Sequence, residues 1–190
     1  MSDNETGRRI SGLDDLMRAA SAAGAAPVER WNPPYCGDIG MRIRRDGVWL
    51  YQGSPIGRMP LVRLFARVLR RDADGRTYLV TPAEKVDVAV EDAPFLAVEM
   101  EVRGAGRERQ LVLRTNVDDI VSVGPDHPLR FAVEPGSGGL KPYVLVRGRL
   151  EALVVRALYY DLVELAEPDP AAPDRAGIWS GGAFFPLEAG

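Results

Sequence analysis

A chain of 190 residues holds one or two domains and can bury a sizeable core. Hydrophobic residues make up 46% and charged residues 27%, and 24 lysines and arginines against 27 acidic residues leave a net charge of −3, which argues against a dedicated nucleic-acid binder. A single cysteine, Cys36, excludes an internal disulfide and a cysteine-rich metal site; no run approaches the ~20 apolar residues of a membrane span and the N-terminus lacks a signal peptide's apolar core, so a cytoplasmic location is expected.

Residues 1–9 are polar and are expected to be disordered. Ser11, with Asp14 three positions later, reads as the N-cap of a helix carrying Leu13, Leu16, Met17 and Ala20. That helix is weakly amphipathic and reads as a docking helix or extension, outside any core. Residues 27–40 read as a rigid irregular segment, because Pro33-Pro34 forbids helix. Strands are expected over 41–45 and 48–51, joined at Asp46-Gly47 by a type I′ turn with positive φ at both central residues. Pro60 opens a helix over 60–71. Leu61, Leu64, Phe65, Val68 and Leu69 form its apolar face, and Arg63, Arg67 and Arg70 its basic face. After a strand at 77–80, Thr81-Pro-Ala-Glu84 matches a capping box, held to a single turn by the alternating Val86, Val88 and Val90.

The following section is strand-rich. Residues 95–103 and 108–114 pair plausibly through 104–106, 117–123 is ambiguous, and strands at 129–133 and 143–147 flank the loop 134–142. A long helix is predicted over 149–165. Leu150, Leu153, Val154, Ala157, Leu158, Leu162 and Leu165 make one stripe, and Ala152, Val155, Tyr159 and Val163 a second. Two stripes imply cover on two sides: its own sheet, and either the N-terminal half or another subunit. Residues 167–176 read as a Pro/Ala/Asp linker with no core, and 177–187 as two short strands around Gly181-Gly182.

The order strand, helix, strand occurs twice, over 48–82 and 143–186. The fold class expected is α+β: two tandem related strand–helix–strand units. The divisions are a tail and short helix over 1–26, an N-terminal α+β domain over 27–88, and a strand-rich C-terminal domain over 89–190 closed by helix 149–165. The crease between such units is a favoured ligand position.

No motif names a reaction. Cys36 and His127 are the sole members of their types, and packing or hydrogen bonding explains each better than a nucleophile–base pair. No catalytic residue is assigned, and a cysteine-dependent enzyme ranks last among the readings. Asp118-Asp119, Asp126 and His127 are near in sequence, but Gly124-Pro125 and Pro128 describe a turn and turn duty accounts for the aspartates, so no metal site is assigned and no cofactor is implied. The glycines at 136–139 and 177–182 lack P-loop spacing and open no helix, so both read as turns. Arg58, Lys85, Arg130 and Arg147 stand beside turns or at strand ends, where a cation can point at a ligand. Trp31 and Trp179 lie in irregular segments and can stack on a planar group.

Several strings carry a resemblance: WNPPYCGDIGMRI at 31–43, SPIGR at 54–58, TPAEKV at 81–86, VEDAPFLAVEM at 90–100, TNVDDIV at 115–121, DHPLR at 126–130, and PYVLVRGRLEALVVRALYYDLVEL at 142–165. They resemble the uncharacterised bacterial family DUF1285, over nearly everything from 27 to 185. The resemblance implies a duplicated α+β core whose second half is superficially like a pleckstrin-homology fold. It also implies a nucleotide-like ligand at the interface of the two halves and a role in signalling; it implies no catalytic residues.

These readings converge on a non-catalytic module that binds a small anionic, nucleotide-like ligand between its halves. Trp31 and Tyr35 stack, Arg58, Lys85 and Arg130 hold phosphate, and His127 and Asn116 give directional hydrogen bonds. The partners expected are that ligand, with no nucleic acid and no membrane. The alternative is a protein–protein interaction module that meets its partner through the Arg63/Arg67/Arg70 face or an exposed strand edge.

Overall fold

Strands dominate the chain, and a few short helices accompany them in an α+β-like architecture. The structure, a computed structural model, describes residues 13–22 and 27–189. The expected polar tail and the Ser11 cap lie outside the described residues. The chain divides into two compact units. Unit 1 joins the residues up to Ile43 with Val48–Ala89; unit 2 joins Arg44–Gly47 to Val90 and everything after it.

Unit 1 contains helix α1 (Leu13–Ala22), a single 3-10 turn at Val28–Arg30, β1 (Tyr35–Ile43), β2 (Trp49–Tyr51), β3 (Ser54–Pro55), α2 (Met59–Arg67), β4 (Leu69–Arg71), β5 (Thr77–Val80) and β6 (Lys85–Val90). The strands form one sheet in the order β3-β2-β1-β6-β5-β4. Alternation sets its inner face: Ile39, Met41 and Ile43 of β1 are buried, while Gly40 and Arg42 are exposed. Trp49 and Phe65 are both fully buried and stack with ring centroids 6.5 Å apart. Burying each contributes about 1.5–3 kcal/mol.

Five expectations for this unit are corrected. Helix α1 packs on α2, and Leu16 and Ala20 belong to the core. The irregular reading of 27–40 gives way at Tyr35, where β1 begins. At the hairpin, Arg44 O accepts from Gly47 N at 2.9 Å, and only Gly47 has positive φ, at 81°. That is a turn closed by a left-handed glycine, not type I′. The helix of 60–71 ends at Arg67, and 69–71 are a strand, because Leu69↔Leu79 and Arg71↔Thr77 pair there. Arg70 therefore leaves the basic face and is buried. The capping-box side chain does act, since Thr81 Oγ1 accepts from Glu84 N at 3.2 Å, but it closes the β5–β6 hairpin and no helix follows.

Unit 2 contains β7 (Phe95–Arg103), β8 (Gln110–Thr115), β9 (Ile120–Ser122), β10 (Leu129–Val133), β11 (Leu140–Arg147), β12 (Leu150–Val154), α3 (Arg156–Glu164), β13 (Glu167–Asp169), β14 (Ala172–Ser180) and β15 (Ala183–Pro186). The first six strands form a sheet in the order β10-β11-β12-β7-β8-β9. Strand β12 lies between β11, antiparallel, and β7, parallel.

The long helix is the main correction. Gly148, at φ 52°, turns the chain, and Leu150, Ala152 and Val154 are buried alternately with Glu151 and Leu153. The run LEALVV satisfies a helical and a strand period equally, and two hydrogen-bonding neighbours decide for the strand. Helix α3 begins only at Arg156. The expected second stripe dissolves: Ala152 is buried in its own sheet, and Tyr159 and Val163 are half-buried on α3.

The expected linker is also a correction. Residues 167–169 and 172–180 pair with each other, and β15 completes a three-stranded sheet. Ser180 Oγ is buried; it accepts from Leu111 N at 2.9 Å and donates to Val123 O at 2.8 Å, which fastens this sheet to the larger one. Arg109 donates to Leu165 O and to Glu167, both at 2.8 Å, and holds the chain as it leaves α3.

Both six-stranded sheets have the same strand order. In each, the first and last strands lie side by side at the centre, with the second and third to one side and the fifth and fourth to the other. The helix follows the third strand in unit 1 and the sixth in unit 2. The strand–helix–strand plan expected over 143–186 therefore does not map onto 48–82.

Candidate functional site

Unit 2 carries an open pocket of ≈ 430 Å³ where β11, β12, α3 and the β10–β11 loop meet. That volume lies within the range of small-molecule sites. Strand pairing sets the base of the arrangement, since Tyr143↔Leu153 register brings the start of β11 beside the end of β12. Leu140, Pro142, Leu153 and Val154 supply apolar lining. The polar lining is Arg45, from the Arg44–Gly47 turn, with Glu134, Ser137, Lys141 and Arg156; Tyr159 and Tyr160 add two rings.

The helix phase explains the cation–tyrosine pair. Arg156 and Tyr160 are four residues apart on α3, hence on one face. Arg156 Nη2 donates to Tyr160 OH at 3.1 Å, and its guanidinium lies 6.0 Å from that ring's centroid. This hydrogen bond holds the Arg156 guanidinium above its ordinary pKa. Tyr159 and Tyr160 meet edge to face at 5.6 Å, and Tyr160 remains 55% exposed.

Lys141 is differently placed. Its Nζ pairs with Asp92, and Tyr143 OH donates to the other Asp92 oxygen at 2.7 Å. Burial alone would lower the Lys141 ammonium, but Asp92 and Tyr143 outweigh it and hold it above its usual value. Glu134 accepts from Ser137 Oγ at 2.7 Å. Arg45 donates its backbone N–H to Glu91 at 3.1 Å, and its side chain has no partner among the described residues.

Unit 1 holds a second aromatic–cation cluster, around Tyr78. Tyr35 meets its ring edge to face at 6.3 Å, Arg76 lies 5.5 Å from its centroid and Lys85 4.4 Å. Every charge there is already matched. Asp87 accepts from Tyr35 OH and, at 2.5 Å, from Arg76; Asp74 accepts from Tyr78 OH at 2.6 Å; Asp72 pairs with Arg70 at 2.5 Å and Lys85 at 3.2 Å. Burial pushes the Asp72 carboxyl up, but hydrogen bonds from Arg70 and Lys85 prevail and hold it below its usual range.

Comparison with known proteins places the chain. Residues 26–93 match the model described as "Domain of unknown function (DUF1285), N-terminal domain", and residues 94–187 match "Protein of unknown function (DUF1285), C-terminal domain". The chain belongs to the DUF1285 family. A crystal structure of a DUF1285 family protein from Silicibacter pomeroyi DSS-3 is 49% identical, over 94% of this chain and 96% of that one, with a TM-score of 0.87. A DUF1285 family protein from Shewanella baltica OS155 is 28% identical, over 66% of this chain and 91% of that one, with a TM-score of 0.52. No curated protein matches the chain.

In this DUF1285 chain, none of the seven residues expected to hold a ligand lines the unit 2 pocket. Trp31, Tyr35, Arg58 and Lys85 lie in unit 1; Asn116, His127 and Arg130 lie in unit 2. Tyr35 and Lys85 are brought together on Tyr78. Trp31 is half-buried and gives its carbonyl to Arg70 at 2.8 Å, and Arg58 is exposed at the N-cap of α2. Asn116 Oδ1 accepts from Leu96 N at 3.0 Å, His127 Nδ1 lies 3.0 Å from Leu145 O, and Arg130 is paired with Glu151 over the Tyr143 ring. Cys36 Sγ donates to Pro34 O at 3.5 Å. Among the described residues, no group of three or more His, Cys, Asp or Glu is placed to hold a metal ion, and no helix is long and apolar enough to cross a membrane.

Sequence reasoning missed Arg45, Lys141, Arg156, Tyr159 and Tyr160. The available signal was the Arg156-x-x-x-Tyr160 spacing, which the two-stripe reading of 149–165 left unused while it assigned Tyr159 to packing. The 136–141 loop, dismissed as a phosphate loop, is nonetheless a wall of the pocket.

Proposed function

We propose that this DUF1285 protein is a non-catalytic module that binds a small anionic ligand in the unit 2 pocket. One observation carries the reading: Arg45, Lys141 and Arg156 share a single ≈ 430 Å³ pocket with two tyrosines, and Arg45 has no side-chain partner among the described residues. Guanidinium groups recognise carboxylate and phosphate through paired donors, and tyrosine faces suit a flat body. The Tyr78 cluster of unit 1 is the weaker candidate, because its cations already face carboxylates of their own.

Two broader expectations belong to the same reading. The shared strand order supports tandem related units, and α3 following the last strand of the unit 2 sheet supports the pleckstrin-homology comparison. A signalling role fits a protein that acts through its occupancy and not through turnover.

Thermal shift with inorganic phosphate, AMP and 2-naphthoate at millimolar concentration tests the reading. A ligand of the native state raises stability by about 2.7 kcal/mol at a hundred times its Kd. At least one probe is expected to raise the melting temperature, and Arg156→Ala to abolish that rise while the unliganded melting temperature holds. A flat response to all three overturns the reading.

A further inference from the structure

We infer that the unit 2 pocket selects a flat aromatic body carrying one negative charge, and that Glu134 is the residue that rejects a second charge. The inference rests on the binding reading above and names the ligand class for the same pocket.

The cations in the pocket are not equivalent. Lys141 is already committed, because Asp92 holds its ammonium and Tyr143, 8% exposed, fixes Asp92 from the other side. Arg156 is steadied by the Tyr160 hydroxyl, a neutral hydrogen-bond partner. Arg45 presents an exposed side chain with no partner among the described residues. Two guanidinium groups are thus available for one anion. A carboxylate fits either of them through two parallel N–H···O bonds, a geometry that ammonium cannot offer.

The opposing charge is Glu134. It shares the pocket lining with Arg156 and acts on that guanidinium electrostatically. Its hydrogen bond from Ser137, with Gly139 N donating to Ser137 Oγ at 3.1 Å, anchors it in the loop. Of the three cations that line the pocket, Lys141 is matched by Asp92 and Arg156 is acted on by Glu134, which leaves Arg45 as the lining cation whose side chain has no carboxylate partner among the described residues. A first anionic group uses that cation. A second would meet Glu134, and like charges at short range disfavour binding. Polyphosphates are therefore poor ligands by this arrangement. The flat body follows from Tyr159 and Tyr160, set edge to face at 72°, beside the apolar Pro142 and Leu153.

The test keeps the body constant and varies the charge. Titration calorimetry of the full chain at pH 7 compares 2-naphthol, 2-naphthoate and 2,6-naphthalenedicarboxylate. The monoanion is expected to bind about tenfold tighter than the neutral compound and about fivefold or more tighter than the dianion, the size of one screened charge contact. Glu134→Gln is expected to tighten the dianion about tenfold and the monoanion by less, and Arg156→Lys to weaken the monoanion despite keeping the charge. Tighter binding of the dianion by the unaltered chain, or a Glu134→Gln chain with an unchanged preference, overturns the inference alone. Failure of every naphthalene probe while AMP or phosphate binds also overturns it alone. Failure of all probes in both experiments removes the site itself.

Discussion

Arg70 Nη1 donates to the Trp31 carbonyl oxygen at 2.8 Å, across 39 positions of sequence. The same nitrogen donates to Val28 O at 2.7 Å, and Nε donates to Asp72 at 2.5 Å. One guanidinium thus ties the proline-rich entry of unit 1 to strand β4. Removing it leaves Val28 O only the Trp31 N–H at 3.3 Å, takes the guanidinium from Trp31 O, and leaves Asp72 to Lys85.

Arg70→Met is therefore expected to destabilise unit 1 by about 2–3 kcal/mol, since several hydrogen bonds made by one charged, buried group are lost together. Arg67→Ala, on the exposed face of α2, is expected to stay within about 0.5 kcal/mol. Urea denaturation compares the two. Equal effects would return Arg70 to the solvated basic face that helical spacing suggests.

The Tyr78 hydroxyl donates to Asp74 at 2.6 Å, and that carboxylate pushes the phenol up to about 12 from 10.0. Below pH 10 the folded and unfolded chains both keep the phenol protonated, and its contribution to stability is whole. As pH rises from 10 towards 12 the unfolded chain ionises first, so stability falls. The difference in melting temperature between the native chain and Tyr78→Phe should narrow through this window. A constant difference from pH 8 to pH 12 would show that the Asp74 bond is not held in solution.

Much of the fold was legible where period and punctuation agree. The β7–β8 hairpin, β5, and the β14–β15 turn at Gly181-Gly182 follow from alternation and glycine placement. Legibility failed where a short apolar run meets a tertiary contact. LEALVV fits two periods, and only its neighbours β11 and β7 decide. Arg70 stands in helical phase with Arg63 and Arg67, yet Thr77 and Leu79 pull residues 69–71 into a sheet. The pocket was illegible for a related reason. Arg45, Lys141 and Arg156 are far apart in sequence, and only the sheet and the Arg44–Gly47 turn bring them to one lining.

Asn116, expected to contact a ligand, bonds the backbone of Leu96. Its Oδ1 accepts from Leu96 N at 3.0 Å while its own N–H donates to Leu96 O at 2.8 Å. Asn116→Ala leaves the Leu96 N–H unpaired and is expected to cost about 1–2 kcal/mol; Asn116→Asp keeps the acceptor and should cost less. Gly47→Ala should perturb the same place, because a Cβ there would lie 2.9 Å from Asn116 Nδ2 and Leu96 Cδ1 at a φ of 81°. Thermal unfolding of the three variants gives the ranking. An Asn116→Ala chain of native stability that loses ligand affinity would restore the ligand role.

Ala152 decides between the two readings of 149–165. In a helix, Ala→Leu is close to neutral, since both are good helix formers. In the structure Ala152 is fully buried on a strand with Val144 opposite on one side and Phe95 on the other. Three extra carbons have no room there, and overpacking is expected to cost about 1–3 kcal/mol. Hydrogen exchange supplies a check that does not depend on the substitution. Amides of β12, enclosed by two strands, should exchange among the slowest in unit 2, and those of the exposed first turn of α3 much faster. A neutral Ala152→Leu together with one continuous protection pattern from 149 to 165 would reinstate the single helix and remove the wall on which the pocket is built.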